Sequence, residues 1–336
     1  MRCKLRIHFG SDDLARTYLA DMPDPAWESI LSVHVMRARR SNSVFGEWRR
    51  RAVRDLSRRG IAGRVRTEAF AIIPAHGYFP DFLTPPEGRL GLEPALDAIL
   101  ATPPRRIGTE LGHLAKPPDG AYASALSGRG AAPRRRLVRT LRRYHAAAVA
   151  PYWPDIATRA QADRALRVQA MREGGIDALL SGLGPAIRWR PPVLEVDYPV
   201  ERDLWLDGRG LVLIPSYFCW RNPVALADAD LPPTLVYPMD HERGWLTARS
   251  PATADPADPT ARLLGPTRAA ILRGTSSGAT TGQLADRVGI TPAGVSQHTA
   301  TLRESGLITS HRRDRYTVHV LTRLGEALLR GRTTAA

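Results

Sequence analysis

Cysteine and lysine are both nearly missing from this chain of 336 residues. The two cysteines, Cys3 and Cys219, lie far apart in sequence. They form neither a disulfide framework nor the paired cysteines of a metal site. Long apolar runs are missing too. None approaches the ~20 residues that span a bilayer. The opening stretch "MRCKLRIHFGSDD" turns polar too early for the apolar core of a signal peptide. Together these absences predict a cytoplasmic protein with no membrane partner.

Lysine scarcity qualifies the charge. Of 48 basic residues only Lys4 and Lys116 are lysine, and the net charge is +15. Such a basic excess favours polyanions. A coding bias toward Arg, Ala, Gly and Pro would produce the same excess without any functional meaning. Bias predicts an even spread along the chain, so the positions of the charges decide between the two accounts. The length allows two domains, each with its own core.

Residues 1–184 read mostly as helix. In "DPAWESILSVHVMRARR" (24–40), Trp27, Ile30, Leu31, His34 and Val35 recur at helical spacing, with Asp24 as cap and Pro25 in the first turn. "EPALDAILAT" (93–102) and "RRRLVRTLRRYHAAAVAPYW" (134–153) have the same character. Prolines break 76–88 into loop, and 114–134 reads as a long mobile connection. Residues 187–245 change to short alternating runs of Val, Leu, Tyr and Trp, a small antiparallel sheet. Asp207-Gly208 between "LWL" and "GLVLI" signals a hairpin, and "PTLVYPM" (233–239) another strand. The expected class is α+β. Its parts are an N-terminal domain over 1–248, a Pro/Asp/Ala linker over 249–260 and a C-terminal domain over 261–332.

The C-terminal stretch "TTGQLADRVGITPAGVSQHTATLRESGLI" (280–308) predicts two short helices. The first starts at Thr281 and turns Leu284, Ala285 and Val288 to one side. Gly289 supplies the positive φ of a tight turn. Thr291 and Pro292 open the second helix as cap and first turn. There Val295, Thr299 and Leu302 share a face, while Ser296, Gln297, Ala300 and Arg303 point elsewhere. This is helix-turn-helix spacing, with a small residue where the helices cross and Val295 plugging the angle between them. Residues 305–322 then read as strand, basic tip, strand, with Tyr316, Val318 and Val320 alternating against Thr317 and His319. Arg312, Arg313 and Arg315 surround Asp314 at the tip, a wing suited to phosphates or the minor groove. Thr322 is a cap for a last helix whose apolar face is Leu324, Leu328 and Leu329. From 261 to 332 there are 11 Arg and 4 acidic residues, a net of +7. Nearly half the excess charge lies in about a fifth of the chain, which favours the electrostatic account over coding bias.

On "LLGPTRAAILRG", the 280–308 stretch and the "SHRRDRYTVHVLT" wing, residues 261–330 resemble the winged helix of ArsR-type transcription regulators. More loosely, the whole chain resembles long actinobacterial regulators that join an N-terminal domain of unknown function to such a reader. The resemblance implies a homodimer on a pseudo-palindromic operator in double-stranded DNA, usually a repressor released by an effector. It places Ala293, Gly294, Ser296, Gln297 and His298 at bases, and Thr281 and the wing arginines at phosphates. Thr291, Thr301 and Arg303 complete the candidate surface. The sequence departs from the family in four places. The cysteine pair of the family's metal sensors is missing from "TTGQLADRV", and 322–331 offers only Glu326 where an Asp/His site would lie. Thr299 replaces the usual Leu and predicts a looser core. Gly294 weakens the helix by ~1 kcal/mol, either for close backbone approach or by drift.

Other constellations carry less. His298, His311 and His319 fall on a helix, a wing tip and a strand, which suits surface or phosphate-contacting histidines better than zinc. The Arg-rich stretches 37–66 and 134–143 read as solvated helix faces rather than a second nucleic-acid surface, with Leu137, Val138 and Leu141 turned inward. Trp189, Tyr198, Trp205, Tyr217, Phe218 and Trp220 fit core packing or an aromatic effector pocket. His76, Asp81, His145 and Asp240-His241 show no triad or metal spacing, and no glycine cluster has the order of a phosphate loop. The sequence therefore predicts a transcription regulator rather than an enzyme, with no cofactor and a non-metal effector or partner sensed by the N-terminal domain. The rivals are an enzyme carried by 1–245 and a non-specific architectural DNA binder.

Overall fold

The computed structural model describes residues 3–38, 44–115, 120–240, 259–275, 278–288, 290–313 and 316–330. The chain divides into two compact units, Met1–Leu246 and Thr247–Ala336.

The first unit combines helices with two sheets, the α+β class expected. Its elements begin with β1 (Lys4–His8), α1 (Ser11–Arg16), β2 (Tyr18–Leu19), α2 (Pro25–Arg37) and α3 (Gly46–Arg58). Short helical turns over 62–72 and 81–90 lead to α4 (Leu92–Ala101), α5 (Pro104–Gly112), α6 (Gly120–Ser127), α7 (Ala132–Ala148) and α8 (Trp153–Ser181). The strands β3 (Ile187–Arg190), β4 (Val193–Asp197), β5 (Arg202–Trp205), β6 (Val212–Ser216), β7 (Val224–Ala225) and β8 (Thr234–Pro238) follow.

The sheets differ from the small antiparallel sheet expected. Among its described residues this unit has two four-stranded sheets, both mixed, in the orders β3-β4-β1-β5 and β2-β6-β8-β7. β1 runs antiparallel to β4 and parallel to β5, and β6 runs parallel to both β2 and β8. In β1, Leu5 and Ile7 are buried while Lys4, Arg6 and His8 alternate on the other face, as on a sheet wet on one side. All five residues of β6 are buried. Leu213 packs with Leu5, Ile7, Leu194 and Leu235 in one core, whereas Val212, Ile214 and Val236 pack into the helical core. The second sheet is thus a middle layer, which accounts for the uninterrupted apolar run "LVLI".

Asp207 and Gly208 do form a turn, with φ of 52° and 77°. It is not a hairpin, because β5 and β6 belong to different sheets. The chain crosses between layers instead. At Gly210, with φ of 71°, a Cβ would lie 2.5 Å from the Arg16 carbonyl oxygen, and only glycine fits. The connection expected over 114–134 is corrected as well. Within it α6 buries Leu126 completely, and α7 begins at Ala132. Small residues and three glycines disguised a helix that packs between α5 and α7.

α2 is the axis of the helical core. Asp24 Oδ1 accepts from the N–H groups of Ala26 (2.8 Å) and Trp27 (3.1 Å), and Pro25 occupies the first turn, as expected. The helix is buried on most sides rather than on one face. Glu28, fully buried, accepts from the N–H groups of Tyr217 (2.6 Å) and Phe218 (2.9 Å), tying α2 to the end of β6. Burial pushes its carboxyl up to about 7, and the hydrogen bonds from Phe218 and Tyr217 hold it from rising further. α7 turns Leu137, Val138, Leu141 and Tyr144 inward and leaves Arg135, Arg139, Arg142 and Arg143 in solvent. Tyr217 and Phe218 pack with Phe45 as core, whereas Trp205 is exposed and stacks on His8. Among the described residues, no helix is long and apolar enough to cross a membrane.

The second unit contains α9 (Pro259–Leu264), α10 (Pro266–Gly274), β9 (Ala279–Thr280), α11 (Thr281–Val288), α12 (Pro292–Glu304), β10 (Ile308–Arg313), β11 (Tyr316–Leu321) and α13 (Arg323–Arg330). α9 takes up the last two residues of the expected linker. The rest of it, 249–258, lies outside the described residues. Ile271, Leu272, Leu284, Val295, Leu302 and Ile308 form the core.

Candidate nucleic-acid interface

α11 opens with a reciprocal cap. Thr280 N–H donates to Gln283 Oε1 (2.9 Å), and Gln283 N–H donates to Thr280 Oγ1 (3.3 Å). Leu284 and Ala285 are buried and Val288 is partly buried, the inward face expected. Gly289, with its expected positive φ, lies outside the described residues. α12 then starts at Pro292. Thr291 Oγ1 accepts from Gly294 N–H at 3.2 Å, so the predicted cap is present.

Val295, Thr299 and Leu302 are buried along one side of α12. Thr299 fills the place of a larger apolar residue without leaving its hydroxyl unpaired, since Oγ1 donates to the Val295 carbonyl at 2.9 Å. At 100° per residue, Ala293 and Gln297 project from the opposite side, and both are exposed. Ser296 and Arg303 flank that side and are exposed, while His298 and Thr301 border its other edge and are half-buried. The Ser296 hydroxyl donates back to the Pro292 carbonyl (2.9 Å) and that of Thr301 to the Gln297 carbonyl (3.4 Å). The Gln297 amide is therefore the long uncharged polar group on this face.

The wing is present as well. β10 and β11 pair antiparallel from Ile308↔Leu321 to Arg313↔Tyr316, and β9 adds a third strand beside β11. Arg315 lies outside the described residues. Arg312 and Arg313 occupy the last rungs of the ribbon, as far as it reaches from the core.

Two expectations are corrected here. His319 is no surface histidine. It is buried, and its ring bridges Ser310 Oγ (Nδ1, 2.8 Å) and Thr281 Oγ1 (Nε2, 3.0 Å). Burial and then the charge of Arg303 lower its pKa. The alternating apolar residues of 316–320 misled, because Val320 faces solvent and His319 faces in. Thr281, placed at phosphate by resemblance, is half-buried and shares that hydrogen bond with the ring. In α13, Thr322 Oγ1 accepts from Gly325 N–H at 3.1 Å, as a cap should, but Leu324 is exposed rather than part of the inward face. His311 is exposed and His298 half-buried on a different element. Among the described residues no three His, Cys, Asp or Glu side chains are grouped as metal ligands.

Comparison with known families gives two matches. A model described as a helix-turn-helix domain matches residues 263–311. A model described as a family of unknown function (DUF5937) matches residues 100–243. No curated protein and no solved structure matches the chain. The first match covers α10 through most of β10, the helices whose caps and faces are described above. The chain carries a helix-turn-helix domain, the part with which a DNA-binding transcription regulator reads its site.

Proposed function

We propose that this chain is a sequence-specific transcription regulator of the ArsR type, acting as a homodimeric repressor on a pseudo-palindromic operator. Its N-terminal unit senses a non-metal effector or partner. α12 reads bases through Gln297 and Ala293, with Gly294, Ser296, His298, Thr291, Thr301 and Arg303 around them. Arg312, Arg313 and Arg315 hold phosphates from the wing.

The observation that carries this reading is the exposed face of α12. It presents Gln297, a side chain able to pair with an adenine edge, on a helix fixed from behind by Val295, Thr299 and Leu302. The local charge of +7 over 261–332 supports contact with phosphate. Two buried carboxylates of the first unit have structural partners, which does not favour an enzyme carried by 1–245 on them. Glu28 is bonded to backbone N–H groups, as is Asp81, which binds Ala227 and Asp228.

The test is selection of bound duplexes from a random pool by the full chain. Affinity is then compared on the selected and scrambled sequences at several salt concentrations. A paired, inverted half-site with clear preference over scrambled DNA is expected. Equal affinity for both would replace this reading with the architectural binder.

A further inference from the structure

Asp24 caps α2 with one carboxyl oxygen only. Oδ1 accepts both N–H groups of the cap, while Oδ2 is buried and accepts no hydrogen bond. The residue is 1 % exposed. Its carboxyl lies against Gly88, where a Cβ would collide with both oxygens, so the backbone at 88 is held open for it. Glu28, one turn further along α2, has both oxygens bonded, which sets Asp24 apart.

Asp24 lines a cavity of about 10 Å³ together with Thr84, Thr234, Trp27 and Ile214. That is room for a single water-sized group. Arg89 also lines it, and apart from that side chain the polar side chains around it share one character. The Thr84 hydroxyl donates to the Asp81 carbonyl (3.3 Å) and the Thr234 hydroxyl to the Pro232 carbonyl (2.8 Å). Both threonines have their protons engaged elsewhere, so what remains on them, as on Asp24, is lone pairs. Three acceptors, one of them a carboxylate that a bound cation would hold ionised, suit a compact triple donor. Burial pushes the Asp24 carboxyl up to about 7, against the cap hydrogen bonds from Trp27 and Ala26, as expected for a carboxylate without a cation.

Next to the cavity lies an open cleft of about 550 Å³. This is within the roughly 300–1,000 Å³ of small-molecule sites. Pro86 and Arg89 line both spaces. The cleft's apolar side chains Tyr18, Met22 and Leu90 are 44 %, 39 % and 79 % exposed. Arg89 is exposed, with its Nε–H on the Pro86 carbonyl (3.3 Å) and its guanidinium over the Tyr18 ring. Asp21, ion-paired with Arg164 (2.7 Å), and Glu87 also line the cleft.

We propose that cavity and cleft are one binding site for a small apolar amine, its ammonium group seated on Asp24 Oδ2 and the two threonine hydroxyls and its apolar body on Tyr18, Met22 and Leu90. This rests on the reading that the N-terminal unit takes an effector, and it gives that effector a chemical class. Arg89 is the side chain that swings aside to admit the ammonium group.

The test is calorimetric titration of the full chain, without DNA, with hexylamine, 2-phenylethylamine and tryptamine. The neutral counterpart is 2-phenylethanol and the anionic one phenylacetate. At least one amine should bind, 2-phenylethanol about tenfold or more weakly, and phenylacetate not at all. Asp24→Asn keeps the Oδ1 cap and puts an amide N–H₂ where the ammonium would sit, so amine binding should be lost. Should that variant fail to fold, Thr234→Val and Leu90→Ala serve in its place. The first should weaken the amine and spare the alcohol, and the second should weaken both. Failure of all three amines at millimolar concentration, equal affinity for amine and alcohol, or undiminished amine binding in folded Asp24→Asn would each overturn the proposal and leave Oδ2 to a buried water. DNA affinity, measured separately on the same preparations, reports on the regulator reading by itself.

Discussion

His319 on the middle strand of the wing sheet and Thr281 at the head of α11 share a 3.0 Å hydrogen bond. The same ring holds Ser310 on β10. A single imidazole therefore fixes the wing against the first helix of the helix-turn-helix.

Protonation of that ring should loosen the unit. The folded-state pKa of His319 lies below its ordinary value of 6.5, so between the two the unfolded chain binds more protons. Its contribution is complete above pH 6.5 and is lost as pH falls through that value toward the lowered one. His319→Ala should cost about 1–3 kcal/mol at neutral pH by removing the partner of two hydroxyls. Thermal melts of the full chain from pH 5 to 8 check this. An unshifted transition for the second unit would mean that the bridge contributes nothing.

Recognition helix and wing should fail in different ways. Gln297→Ala should cost ~1–3 kcal/mol on the operator and relax preference at one position per half-site. Arg313→Ala should weaken operator and scrambled DNA alike and reduce the salt slope by ~0.9. Binding isotherms of both variants against salt separate the outcomes. The opposite pattern would reverse the roles of the two elements.

Gly294→Ala separates close approach from drift. A Cβ there would lie 3.4 Å from Thr291 Oγ1 and 3.6 Å from Ile290 Cδ1, ordinary contacts. The fold accommodates the methyl group and gains up to about 1 kcal/mol of helix propensity. The melting temperature should rise while operator affinity falls. A rise in both would show that no DNA backbone comes near residue 294.

Glu28 makes stability fall as pH rises. Its folded pKa is raised from 4.5 to about 7, so the folded chain binds more protons in that window. Stability from this group is complete below pH 4.5, declines up to pH 7 and is flat above. The decline is on the order of 3 kcal/mol. Asp24 adds a slope of the same sign, while His34, lowered to about 4, opposes it. Denaturant titrations of parent and Glu28→Gln at several pH values isolate Glu28. The variant should be less stable than the parent at pH 5, and the gap should narrow toward pH 8. A constant gap would show that Glu28 is ionised throughout.

Legibility in the sequence followed the range of the interactions. The caps at Asp24 and Thr291 involve residues two or three positions away, and both were readable. So was the face of Val295, Thr299 and Leu302, set by helical period alone. β1 was missed because "KLRIH" has only two inward residues and pairs with strands nearly two hundred positions later. Asp207-Gly208 was readable as a turn, but which sheet each neighbouring strand joins is settled elsewhere in the chain. His319 escaped because an apolar alternation is an unreliable guide on a central strand partly covered on both faces. Asp24 was legible as a cap. Its second oxygen was not, since the cavity it lines is assembled from four separate segments.

β1 also governs how the unit can be made. It lies between β4 and β5, so the first sheet has its seam closed by the earliest-synthesised strand. The residues matched by the family of unknown function, 100–243, include β4 and β5 but not β1. A fragment cut to those limits, which also lacks β2, would carry newly opened strand edges on β4, β5 and β6, a template for aggregation. During synthesis Leu5 and Ile7 must wait for residues beyond 190 before they are covered. Such long-range closure slows folding and leaves β1 dependent on protection until the last strands of its sheet emerge.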